Sequence, residues 1–350
     1  MKKILCIMLA AIMFVGCQEE GDKEIRVGVI LPLSGDIAFM GEMLKNAMLM
    51  NAKNDSVELF FEDSRGEAKT AISIVNNLLS IKKCNVIVSF LPPVSEAINP
   101  ICEKNNVLHF VFAFSPNIVK NTNVIKQFPS SDYEAQQFLS YIKDTHAKRV
   151  VYFRHLYPDA EYAYNNIVAP QLSSQGVNVI DITHEQTCED FRNLAMKAKM
   201  ENPDLVVVQS LSLNYSNILT ALQNAQIDNI ILDLNCVDFY GDTSNVMIKL
   251  QKIPFVGMDF VLSPKFDEFM RNYQSLYNKK PYVFGAFAYD LMTVINNLKE
   301  TGLIKRDIIE YYSKNSVEGI TGVIEYDNDG NQNIEYKILQ YNDGNVSRAE

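Results

Sequence analysis

The chain has 350 residues, of which 47% are apolar and 21% charged, with a formal net charge of −10. That length is more than one ordinary core uses and suits two domains of about 150 residues each. The scattered acidic charge excludes a nucleic-acid partner, because phosphate recognition needs a basic face.

Lys2 and Lys3 precede an apolar run from Ile4 to Val15, and the chain turns polar directly after Gly16-Cys17. The run is too short to cross a bilayer as a helix and reads as an export signal. Phe14-Val15-Gly16-Cys17 resembles the bacterial lipobox, although Phe14 stands where leucine is usual. The resemblance implies removal of residues 1–16, lipidation of the Cys17 thiol, and a short tether at 17–23 that holds the folded part at a membrane surface in the cell envelope.

From Ile25 onward, short apolar runs alternate with amphipathic stretches. Ile25 to Leu31 predicts a buried strand, and Met43, Leu44, Ala47 and Met48 share one face of the helix that follows. Val57 to Phe61, Val86 to Phe90 and Val107 to Phe112 are the next strands. Helices lie around Ala71 to Leu79 and Ser95 to Lys104. Cys84 opens the third strand and Cys102 lies near the end of its helix, which leaves a bridge and two buried thiols as alternatives. No CxxC is present, so a redox or zinc role has no support.

The rhythm restarts after Phe128-Pro129. Helices are predicted over 133–143, 162–174, 191–200 and 216–225, and strands over 149–153, 177–182, 205–209 and 229–232. Two such series predict an α/β chain of two similar lobes, each a parallel sheet with helices on both faces. Near the end, Gly322 to Tyr326 and Ile334 to Tyr341 flank Asp327-Asn328-Asp329-Gly330, which predicts a β-hairpin. The spacing of an EF-hand is missing there, so no metal is expected.

Signals for catalysis are poor. His184-Glu185-Gln186-Thr187-Cys188 lacks the second histidine of HExxH, and neither GxSxG, GxGxxG nor a phosphate-binding GxxxxGK[ST] occurs. No cofactor is expected.

Ile25-Arg26-Val27-Gly28-Val29-Ile30-Leu31-Pro32-Leu33-Ser34-Gly35, with Gly41 six further on, resembles the opening of type I periplasmic binding proteins. The closest likeness is to the Leu/Ile/Val-binding branch of ABC-transporter substrate-binding lipoproteins. Phe61 to Gly66, Ala97 with Pro100 and Ile101, Phe128 to Asp132, Tyr289-Asp290, and Gly319 to Gly322 resemble the family's later stations in the same order. The resemblance implies lobe I at roughly 24–127 plus 260–314 and lobe II at roughly 128–259 plus 315–350, joined by a hinge of three crossings. It also implies a ligand cleft at the carboxyl ends of the strands, where α/β sheets bind ligands.

In lobe I that cleft would draw on Ser34, Gly35 and Phe39 after the first strand. After the third it would draw on Leu91 and Pro92, where the family's amino-acid binders carry a Ser-rich turn that grips a carboxylate. Pro92 and Pro93 have no N–H to give, so that grip is weakened or replaced. Phe112, Ala113, Phe114 and Ser115 follow the fourth strand, with Ser115 where the family's threonine falls; phenylalanines here also fit a plain core role. In lobe II the resemblance implies Tyr157 or Tyr162 as the cleft tyrosine, then Ser210, Leu211 and Tyr215, then Asn235 and Asp233, the acid expected to meet a ligand ammonium. The implied function is hinge closure on a small organic ligand, an amino acid or apolar carboxylate, and delivery to an ABC permease. The alternative is an envelope lipoprotein of the same fold that senses or docks a partner through a degenerate, side-chain-filled cleft.

Overall fold

The computed structural model describes residues 25–52, 57–114, 116–120, 123–185, 187–210, 214–236, 250–342 and 345–349. The export signal, Cys17, Ser115 and Leu211 lie outside them.

Five parallel strands form the first sheet: β1 (Ile25–Leu31), β2 (Val57–Asp63), β3 (Val86–Phe90), β4 (Leu108–Phe112) and β5 (Val124–Lys126), in the order β2-β1-β3-β4-β5. Successive side chains point to opposite faces, and the core divides accordingly. Val27, Val29, Val86 and Val88 meet Met43, Leu44, Ala47 and Met48 of helix α1 (Ala38–Met50). Ile30 and Ile87 meet Ala71, Val75 and Leu78 of α2 (Ala68–Ser80) and Val94 and Ile98 of α3 (Pro92–Lys104). Apolar residues on both faces are what a covered parallel sheet requires. Cys84 and Cys102 lie in that second cluster as free thiols, and burial pushes them up to about 11 and about 12.

After β5 the chain crosses to a second sheet through 127–130. There follow α4 (Ser131–Asp144), β6 (Arg149–His155), and α5 (Pro158–Ala163), which runs through a π turn at Tyr164–Val168 into α6 (Ala169–Ser174). Then come β7 (Asn178–His184), α7 (Arg192–Met200), β8 (Leu205–Gln209), α8 (Tyr215–Asn224), β9 (Ile230–Leu232) and β10 (Pro254–Met258). A second crossing at 259–263 returns the chain to the first sheet. There α9 (Pro264–Tyr277) and α10 (Phe284–Asn296) pack on α1, with Asn46 donating to the Tyr273 hydroxyl at 3.2 Å and Asn51 to the Tyr289 carbonyl at 3.0 Å. After α11 (Leu298–Thr301) and α12 (Lys305–Lys314), a third crossing at 315–335 leads to β11 (Tyr336–Asn342) and β12 (Asn345–Arg348). The second sheet has the order β12-β11-β10-β9-β8-β6-β7, parallel from β7 to β10 and antiparallel beyond.

One close approach fixes the entry to α1: a Cβ on Gly41 would lie 2.0 Å from the Pro32 carbonyl oxygen. Only glycine lets that helix sit against the loop leaving β1.

The expected hairpin around Asp327 is corrected. The turn forms, but its flanks meet only at the Tyr326–Gln332 bridge, and β11 pairs with β10 and β12 instead. Asp327 closes the turn locally, its Oδ1 accepting from the Asp329 and Asn331 amides at 2.9 Å each. The turn then docks on the first crossing, where the Lys126 amide donates to the Gly330 carbonyl at 2.8 Å.

Candidate functional site

The carboxyl ends of β3 and β4 face those of β6 and β8 across a cavity of about 490 Å³, within the usual size of small-molecule sites. Its two walls differ in chemistry. The first-sheet wall is apolar apart from Asp36: Ile37, Phe39 and Met40 at the start of α1, Phe90, Leu91 and Pro92 at the β3–α3 join, and Phe112, Ala113 and Phe114 after β4. Phe128 of the first crossing and Phe284 of α10 complete it. Leu91 holds φ 79° and ψ 132°, a backbone state that costs an L residue about 1–3 kcal/mol.

The second-sheet wall is polar. It consists of Ser131 and Glu134 from the first turn of α4, His155 at the end of β6, Tyr157, Asp159 and Ala160 entering α5, and Gln209, Asn235 and Tyr336. His155 Nδ1 lies 3.2 Å from the Gln209 carbonyl oxygen, which can only accept. The proton therefore sits on Nδ1 and Nε2 is a bare acceptor. Burial pushes this imidazole down to about 4, so it is neutral at pH 7. Burial likewise pushes the Asp159 carboxyl up to about 6.

Glu134 accepts from the Leu234 amide at 3.0 Å and from Gln209 Nε2 at 3.2 Å, yet burial pushes it up to about 7. The folded state thus keeps a proton on Glu134 that the unfolded chain releases near the usual 4.5. Stability accordingly falls as pH rises through that window. Glu134→Gln has no such proton. Urea unfolding at pH 5 and pH 8 is expected to show a smaller loss over that interval for the variant than for wild type. Equal losses would remove Glu134 as the source.

Of the sequence-expected residues, Phe39, Leu91, Pro92, Phe112, Ala113, Phe114, Tyr157 and Asn235 line the cavity. Ser34 and Gly35 do not: the Ser34 hydroxyl donates to Asp63 at 2.6 Å, Gly35 turns the chain at φ +84°, and Asp36 and Ile37 face the cavity instead. Half-buried Tyr162 is also outside the lining. Ser210, Tyr215 and Asp233 form a closed set behind it. The Tyr215 hydroxyl donates to Asp233, the Ser210 amide donates to that hydroxyl at 2.9 Å, and Asn235 Nδ2 donates to Asp233 at 2.9 Å. Asp233, fully buried and raised well above its usual range by burial and the neighbouring Glu134, is engaged within the protein. Among the described residues the carboxyls that do reach the cavity are Asp36, Glu134 and Asp159. Asp159 was legible: it follows Pro158, which opens the helix after β6, and so lies at a strand's carboxyl end.

Two parallel-sheet lobes, three crossings and a cavity at the strand ends define a type I binding-protein fold. Residues 24–344 match the periplasmic binding protein family, and the chain belongs to it. The leucine-binding protein LivK from Thermotoga maritima has a similar structure, with a TM-score of 0.77 at 20% identity over 93% of this chain and 98% of that one. LivJ from Streptococcus pneumoniae, a branched-chain amino acid transporter substrate-binding protein in complex with isoleucine, gives 0.75 at 21% over 94% and 99%. A solute-binding protein of an ABC transporter from R. palustris, in complex with benzoate, gives 0.76 at 15% over 93% and 95%. No curated protein matches the sequence. Among the described residues no helix is long and apolar enough to cross a membrane.

Proposed function

We propose that the chain is an extracytoplasmic solute receptor. It closes on a small organic ligand between lobe I (roughly 24–127 plus 260–314) and lobe II (roughly 128–259 plus 315–350) and presents it to an ABC permease. Lipidated Cys17 tethers it to the membrane surface. The observation that carries this reading is the 490 Å³ cavity, whose walls come from the ends of both sheets. A ligand that touches both walls stabilises the state in which they face each other, and this differential contact is the whole drive for closure. The ligands named for the neighbours, isoleucine and benzoate, set the size class. The docking alternative required a cleft filled by its own side chains, and a cavity of this volume argues against it.

Native mass spectrometry of the protein purified from its own host tests the reading. The expected spectrum carries a mass adduct of one small organic molecule that is lost on denaturation. A bare chain, both as purified and after incubation with host extract, would defeat the proposal.

A further inference from the structure

Resting on the receptor reading, we infer that the cavity selects a primary amine carried on an aromatic or branched apolar body, and discriminates against a free carboxylate. The argument begins with three side-chain atoms that have no hydrogen-bond partner within the protein: Ser131 Oγ, His155 Nε2 and Asp159 Oδ2. Their residues are only 7%, 3% and 8% exposed, and all three line the cavity on the second-sheet wall. Buried polar atoms in native proteins are almost always satisfied, so three on one wall ask for a partner from outside the chain.

The chemistry of the three atoms identifies that partner's polarity. His155 Nε2 carries a lone pair and no proton, because Nδ1 donates to the Gln209 carbonyl. A carboxylate oxygen on Asp159 accepts. Ser131 Oγ accepts as readily as it donates. A primary ammonium has three N–H donors and no acceptor, and suits all three atoms in kind. Asp159 supplies the countercharge a buried cation needs, and the phenylalanine faces of the opposite wall favour a cation near them.

A carboxylate finds no counter-cation on these walls. Among the described residues no lysine or arginine lines the cavity, while three acids do. Of the helices that begin at the cavity, α3 opens on Pro92-Pro93 and has no N–H at its first two positions, while α4 and α5 carry acids in their first turns, Asp132 and Glu134 in one and Asp159 and Glu161 in the other. Lys126, whose charge acts on Asp159, is fully buried outside the lining, and its Nζ donates to the Phe114 carbonyl at 3.2 Å. The apolar wall then sets the rest of the ligand: six phenylalanines, Phe39, Phe90, Phe112, Phe114, Phe128 and Phe284, make a surface for a ring or a branched alkyl chain.

Isothermal titration of the full chain with matched probes tests this: phenethylamine, phenylacetate, phenylethanol, benzoate and leucine. Phenethylamine is expected to bind roughly 100-fold more tightly than phenylacetate, from the charge-assisted hydrogen bonds the acid cannot make. Asp159→Asn is expected to weaken phenethylamine by roughly 10- to 100-fold and the uncharged phenylethanol by much less. That alcohol control separates lost recognition from a damaged fold. Binding of phenylacetate or benzoate as tight as that of phenethylamine would overturn the amine assignment, equally tight binding of leucine would overturn the discrimination against a carboxylate, and either result would leave the receptor reading standing. Heat from none of the five probes would overturn the assignment too. The receptor reading fails separately, on the bare chain in the native mass spectrum.

Discussion

Phe128→Ala is expected to lower the free energy of unfolding by about 3–5 kcal/mol, among the larger effects a single core truncation produces. The ring is 2% exposed and sits in the first crossing, where the chain leaves one sheet for the other. Around it stand Phe284 at 4.9 Å between centroids, Phe112 at 5.0 Å, Phe114 at 5.3 Å, Phe287 at 5.4 Å and Phe90 at 6.4 Å. All five pairs are edge-to-face or tilted, arrangements that add to the benefit of burial alone. The neighbours come from β3, β4 and α10, so collapse onto the vacated volume would have to move three elements at once. Resistance to collapse is what makes a cavity costly. Urea unfolding should show a lower midpoint with an unchanged m-value. A loss under about 1 kcal/mol would mean that the site relaxes freely and that the crossing is not a packed core. Because Phe128 also lines the cavity, the same substitution removes a ring from the apolar wall and enlarges the space beside it.

That double duty explains what the sequence concealed. The sheets were legible because β1, β3, β4, β6 and β8 are nearly unbroken apolar runs separated by helices with a clear three-to-four spacing. The places where strands end were therefore legible too, and the loops at Leu91, Phe112 and Tyr157 followed from them. A phenylalanine in the core and a phenylalanine on a cavity wall carry the same signal, so Phe128 and Phe284 gave no sign of their position. Asp233 illustrates the opposite error. Its place after β9 suited a ligand contact, but the Tyr215 hydroxyl and Asn235 satisfy it from within. Which carboxyl is engaged by the chain and which is left over is a property of three-dimensional pairing. Asp159, His155 and Ser131 are the left-over groups: their places near strand ends and the first crossing were legible, but not that the chain leaves them unpaired. The short strands β5 and β10 escaped for a different reason. Val124-Ile125-Lys126 holds only two apolar residues, and Pro254 and Gly257 interrupt the apolar pattern of Pro254–Met258, so β10 is defined by its pairing with β9 and β11.

Asp290→Ala is expected to cost about 3–5 kcal/mol by a mechanism unlike that of Phe128. Asp290, fully buried in α10, accepts from the Ile320 amide at 2.8 Å, the Thr321 amide at 2.8 Å and the Thr321 hydroxyl at 2.7 Å. Burial raises this carboxyl above its usual range against the pull of those three bonds. One side chain thereby fastens the third crossing to a helix of the first lobe. Gly319 shows how tight the fastening is, since a Cβ there would lie 2.3 Å from Asp290 Oδ2. Alanine at 290 leaves two amide donors at a site where Ile320 is 9% and Thr321 6% exposed, and the energy of an unmade buried bond exceeds that of the bond itself. Asparagine keeps one accepting oxygen but turns its amide protons toward a donor, so Asp290→Asn should fall between wild type and alanine. Hydrogen exchange gives the sharper measurement, because it reports each segment separately. The amides of Ile320 and Thr321 should lose protection in Asp290→Ala by more than those of β3, which lies elsewhere in the first lobe. A uniform loss across both segments would mean that the carboxylate supports the domain as a whole and does not hold the crossing in particular. If the local loss is found, the three bonds of Asp290 are what hold the third crossing to α10.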